Sequence, residues 1–171
     1  EIERISEEKR RLKDGERLLE GRRLKDAAEC FRDTLNALLL EHQEQAADGL
    51  NRADAKIRLF EEAMGKGRTA ADPDAAVEAF QAARERWPTG PDVLEELEKA
   101  LEQAAQAAYD ADRETKATAY CKRGLTINPN NSVLARTLGR INDGPKILAA
   151  LEESRESFNR LSREADTATA D

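Results

Sequence analysis

Residues 116–131 read KATAYCKRGLTINPNN. Ala117 is followed four residues on by Cys121 and three further by Gly124, and the run stops at Asn128-Pro129-Asn130-Asn131. Small residues one turn either side of a larger one let a second helix approach closely, and a proline ends the helix because it has no N–H to donate. Two other stretches carry the same pattern. LKDAAECFRDTLNALL (24–39) has Ala27, Phe31 and Thr34, and DAAVEAFQAARERWP (74–88) has Ala76, Phe80 and Ala83. Pro88 and Pro129 fall at the same offset from Ala76 and Ala117.

Composition bounds what these segments can build. The chain has 171 residues, enough for one domain or a short repeat array, with 37% charged and only 4% aromatic residues. Ala, Leu, Glu and Arg favour helix almost everywhere and leave too few β-branched or aromatic side chains for a sheet. The expected class is all-α, with a core mostly of Leu and Ala. The net charge of −7, with both signs interspersed, argues against a nucleic-acid surface, which needs clustered Lys and Arg. The run Lys9-Arg10-Arg11, set among Glu3, Glu7, Glu8 and Asp14, reads as a solvated helix face. The longest strongly apolar run, 37–40, is far short of the ~20 residues that span a bilayer, so no membrane insertion is expected. Cys30 and Cys121 lack the neighbouring ligands of a metal site and read as buried, reduced thiols, which points to the cytoplasm. The chain begins at Glu1, which reads as a fragment without its native N-terminus.

Apolar periodicity and breakers give the element order. A first helix covers 1–21. A second starts near Lys25 and runs to His42, with Ala28, Phe31, Leu35, Leu38 and Leu39 on one stripe. Asp48-Gly49 is read as a break, a third helix covers 50–64, and Gly65-Lys66-Gly67 ends it as a flexible turn. Asp72 caps a fourth helix through 87, Pro91-Asp92 opens a fifth, and 114–128 forms a sixth. Ser132 is expected to cap a short seventh helix, with Gly144-Pro145 turning the chain back into a last helix from Lys146 to Glu164.

The three quoted segments resemble the second helix of the tetratricopeptide repeat, whose helix pairs stack into an α-solenoid. Gly15 and Leu18 occupy the first-helix positions of the earliest pair. Leu101, Ala104, Ala105 and Ala108 precede the third segment, and Leu138-Gly139 open a partial fourth unit. Phe31 to Phe80 is 49 residues and Phe80 to Cys121 is 41, against a family period of about 34; lengthened helices are expected to absorb the difference. The resemblance implies antiparallel pairs stacked over 1–143, about three pairs and a part of a fourth. Residues 144–165 form a C-terminal cap packed on the third unit by Ile147, Leu148, Leu151, Phe158 and Leu161, and 166–171 form a disordered tail.

No catalytic constellation is legible. The single histidine, His42, lies between Glu41 and Gln43 and reads as exposed and incidental; no P-loop, GxGxxG or nucleophile elbow occurs. The expectation is a non-enzymatic module with no metal and no cofactor. In the family the first helices line a groove that takes a partner peptide or helix. By matching position the groove here draws on Arg58 and Glu61, on Lys99, Glu102, Gln106 and Tyr109, and on Arg136 and Arg140. Leu12 and Glu16 stand where the family's carboxylate clamp would begin, so that clamp is not expected. The expected partner is a protein. The alternative is self-association, as a homodimer through the long amphipathic helices.

Overall fold

The computed structural model describes the backbone of residues 2–168, and their side chains apart from those at 145, 147, 148 and 157–168. The described chain is all-helical: α1 (Ile2–Glu20), α2 (Leu24–Thr34), α3 (Leu40–Thr69), α4 (Pro73–Arg86), α5 (Val93–Asp110), α6 (Glu114–Ile127) and α7 (Ser132–Ala168). It divides into two compact units, residues 1–100 and 101–171.

Several boundaries follow local chemistry. Pro73 stands in the first turn of α4, and the Asp72 side chain accepts the Asp74 N–H at 3.2 Å. The cap of α7 is Asn131 rather than Ser132: its Oδ1 accepts from the amides of Val133 and Leu134, both at 3.0 Å.

Three expected breaks are absent. α3 runs unbroken through Gly49, Gly65 and Gly67 for 30 residues. A glycine inside a helix costs about 1 kcal/mol relative to alanine. At two of these positions tertiary packing uses the missing side chain. A methyl group at Gly49 would stand 2.4 Å from Phe31 Cε1, and one at Gly67 would stand 2.6 Å from Phe80 Cε1. The extra residues between Phe31 and Phe80 therefore sit in α3 alone, not in two facing helices. α7 likewise continues through Gly144-Pro145 to Ala168, so no turn separates a last helix there, and residues 166–168 of the expected tail are helical. Of the apolar residues assigned to a C-terminal cap, Leu151 is 60% exposed, and the side chains of Ile147, Leu148, Phe158 and Leu161 lie outside the described residues, as do residues 169–171.

The second helix is shorter than its apolar stripe implies. α2 ends at Thr34, whose hydroxyl donates to the Cys30 carbonyl at 2.9 Å, and residues 35–39 form a loop. The loop is fixed from outside. Gln43 Nε2 donates to the Ala37 carbonyl at 2.7 Å, and the Leu38 amide donates to Glu8 Oε1 at 2.9 Å. Leu38, Leu39 and Leu40 are consequently 43%, 40% and 68% exposed. Glu8 and His42, read from sequence as solvated, are both buried.

In the first unit α1 packs on α2, α2 on α3 and α3 on α4, and α1 also touches α3. Phe31, fully buried, is its centre: it lies against Gly15 of α1 and Gly49 of α3. Further along, Phe60 and Trp87 meet edge to face at 5.1 Å, and Gly90 leaves room for the Phe60 ring. Lys25 Nζ stands 5.8 Å over the Trp87 ring, and Arg22 donates to the Glu85 carbonyl, so the α1–α2 turn is tied to α4. In the second unit α6 packs on α7. Ala108, Ala117 and Ile141 form a buried cluster with Tyr109 against it, and Gly124 makes room for Leu134. Among the described residues, no helix is long and apolar enough to cross a membrane.

Candidate functional site

The eight groove residues expected from the sequence fall on three helices. Arg58 and Glu61 are exposed on α3, and Arg136 and Arg140 are exposed one turn apart on α7. Lys99 is exposed on α5, its Nζ 2.7 Å from Glu95 Oε1. Glu102, half-buried, accepts a hydrogen bond from Asn131 Nδ2, and Gln106 Nε2 donates to Asp110 Oδ1 at 2.7 Å. Tyr109 is half-buried against Ala108, Ala117 and Ile141. Glu102 and Tyr109 are drawn into contacts beyond their own helix, and none of the eight lines the cleft between α1 and α3.

That cleft lies between α1 and α3. It has a volume of about 400 Å³ and is lined by Lys9, Leu12, Lys13, Glu16, Arg17 and Glu20 of α1 and by Gln45, Asp48 and Arg52 of α3. The two helices come together because each presents a glycine, Gly15 or Gly49, to Phe31. Buried Leu12 supplies an apolar floor. Arg52 spans the cleft: it forms a two-pronged pair with Glu16 and a 3.0 Å bond to Asp48 Oδ2. The Glu16 hydrogen bond, against the cost of burial, holds the Arg52 guanidinium above its ordinary pKa, with Glu16 and Asp48 adding charge attraction. Arg52 is shared between Glu16 and Asp48, which leaves one carboxylate charge unbalanced in that trio; exposed Lys9 and Lys13 add positive charge on α1, and Glu20 completes a lining of mixed charge.

Sequence reasoning missed this cleft, yet a signal for it exists. Ala105, Ala117, Cys121, Gly124 and Gly139 each follow Gly15, Ala27, Phe31, Thr34 and Gly49 by 90 residues. The local geometry follows the same offset. The Arg23 amide donates to the Leu18 carbonyl at 2.9 Å and the Arg22 amide to Leu19 at 3.2 Å; 90 residues on, Arg113 donates to Ala108 at 2.8 Å and Asp112 to Tyr109 at 3.0 Å. Both turns place a non-glycine residue in the left-handed region, Arg22 at φ 59° and Asp112 at φ 55°. Shifted back by 90, the expected groove positions Lys99, Glu102 and Gln106 fall on Lys9, Leu12 and Glu16, which do line the cleft.

No family model, curated protein or solved structure matches this chain. Among the described residues no group of three His, Cys, Asp or Glu is placed to hold a metal ion. Cys30 and Cys121 are free thiols; Cys121 is buried as expected, whereas Cys30, one residue before Phe31 on α2, is only half-buried. Burial pushes both thiols above the usual cysteine range, and for Cys30 the carboxylates of Asp14, Asp33, Glu29 and Asp26 add to it.

Proposed function

We propose that this chain is a non-catalytic protein-binding module, a short tetratricopeptide-like α-solenoid of antiparallel helix pairs that takes an extended segment of a partner protein in the α1–α3 cleft. The observation that carries this reading is the shared packing of Gly15 and Gly49 on Phe31, which sets two helices side by side with an open, mixed-charge cleft between them. Gly15 and Gly49 are 34 residues apart, as are Ala105 and Gly139, the period of that repeat. The free, unreactive thiols fit a cytoplasmic setting. Peptides selected by display on the whole chain test the binding reading. Charge reversal at Lys9 and Lys13 should weaken selected peptides by roughly tenfold or more, as removal of a central contact does, while reversal at exposed Lys122 should leave them unchanged. Selected peptides indifferent to Lys9, Lys13 and Gln45 substitutions count against the cleft.

A second reading is self-association. Its support is the trio Leu38, Leu39 and Leu40, exposed where the loop 35–39 enters α3. Sedimentation of the chain with Leu38→Ser and Leu40→Ser separates the two: a dimer that these changes dissolve would favour self-association.

A further inference from the structure

Glu8 lies in an otherwise solvated stretch, SEEKRRLKD, with Glu7 and Lys9 exposed on either side. Its own carboxylate is buried, and the two oxygens are used separately. Oε1 accepts the Leu38 amide at 2.9 Å; Oε2 lies 3.2 Å from Nδ1 of buried His42. Arg4 Nε, on the preceding turn, is 3.6 Å from Oε1. One side chain of α1 thus holds both the α2–α3 loop and the first turn of α3.

Among the described residues no other hydrogen bond joins this loop to α1, and of its side chains only Ala37 is buried. The bonds Ala37 N to Thr34 O at 3.0 Å and Gln43 Nε2 to Ala37 O at 2.7 Å join the loop to α2 and α3, not to α1. Beside Glu8 lies a cavity of about 280 Å³ lined by Arg4, Glu7, Arg11, Asp33, Asn36 and Ala37, so there is space next to the catch rather than packed core.

We propose that Glu8 is the catch of a latch: it keeps the loop 35–39 docked on α1, and when it lets go the loop, with Leu38 and Leu39 and next to Leu40 at the start of α3, opens as a unit while the packing around Phe31 stays intact. The device determines whether the three exposed leucines are presented as one fixed patch or on a moving strap. Local openings of this kind are expected where few apolar contacts hold a segment. The titratable and charged groups facing the catch are Arg4, Glu7 and Arg11 on α1, Asp33 on α2 and the His42 imidazole on α3; the loop itself contributes none. Burial favours the neutral acid. The Leu38 amide, His42 and Arg4 outweigh it and hold the Glu8 carboxyl below its ordinary range. A carboxyl with a depressed folded-state pKa contributes stability that is present above its unfolded value and lost as pH falls through the folded one. The latch is therefore closed at neutral pH and released by acid.

Amide hydrogen exchange of the whole chain at pH 7 tests this. Glu8→Ala removes the catch; Glu8→Gln keeps its size and removes its charge, in case the alanine variant folds poorly. In Glu8→Ala the Leu38 amide loses its acceptor. The Ala37 amide, bonded to the Thr34 carbonyl and not to Glu8, should exchange roughly tenfold faster with it if the loop opens as a unit. Glu8→Gln, whose Oε1 still accepts, should show the same change at smaller size. The amides of Phe31 and Ala46 should be unaffected. Unchanged exchange at Leu38 or at Ala37 would overturn the proposal. So would equal acceleration at Leu38, Phe31 and Ala46, which would make Glu8 a contributor to global stability and not a catch.

Discussion

Replacing Gly49 with alanine probes the packing that brings α1 and α3 together. Two effects of opposite sign compete. Alanine in a helix interior is favoured over glycine by about 1 kcal/mol. The added methyl group, however, would stand 2.4 Å from Phe31 Cε1 and 2.6 Å from both Cδ1 and Cζ. The ring has no retreat on the other side, where Gly15 already lies so close that its own methyl would be 2.7 Å away. Overpacking of a filled core costs about 1–3 kcal/mol, and a ring blocked on both sides places this site toward the upper end. The net expectation for Gly49→Ala is a loss of about 1–2 kcal/mol, after the propensity gain is deducted. Gly65 lies on the same helix with nothing within 4 Å of a methyl group, so Gly65→Ala feels only the propensity term. For a chain of this length each kcal/mol moves the melting temperature by roughly 2–4 °C. Thermal melts followed by circular dichroism should therefore show Gly49→Ala falling by about 2–8 °C and Gly65→Ala rising by about 2–4 °C. Adding Phe31→Leu, which withdraws the ring, should recover part of the Gly49→Ala loss in a double-mutant cycle. If Gly49→Ala melts as high as Gly65→Ala, the close approach of α3 to Phe31 is wrong, and with it the origin of the cleft.

Ala117 is fully buried beside Ala108 and Ile141, whereas Ala149 is exposed on α7. Ala117→Leu should cost about 1–3 kcal/mol in a denaturant titration and Ala149→Leu almost nothing. Asn131→Ala should lose about 0.5–2 kcal/mol with the cap of α7. Asn131→Asp keeps the acceptor for the Val133 and Leu134 amides but faces Glu102 with a second carboxylate, so its stability should improve as pH falls through the carboxylate range. Pro145 lies within α7 and has no amide proton to donate; Pro145→Ala should raise helicity and the melting temperature, and no change would favour a turn at that point.

What the sequence determined by itself was local. Charge, alanine content and scarcity of aromatics dictated helix throughout. Capping residues placed the starts of α4 and α5 and the ends of α4 and α6 close to where they lie. The small-large-small spacing around Phe31, Phe80 and Cys121 picked out positions that are all buried. These signals are legible because they depend on residues within a turn or two of one another. The tertiary structure decided the rest. Whether Gly49 and Gly67 break a helix or admit an aromatic ring depends on Phe31 and Phe80, which come from other helices. Where α2 stops depends on a carboxylate 30 residues before the Leu38 amide it binds, in a stretch that reads as plain surface. His42 looks exposed in its own helix because the partner that buries it, Glu8, is 34 residues away. The cleft follows the same rule: its lining alternates between α1 and α3, so no single segment announces it, and only the packing of both helices on one phenylalanine brings Lys9, Lys13 and Arg52 to one surface.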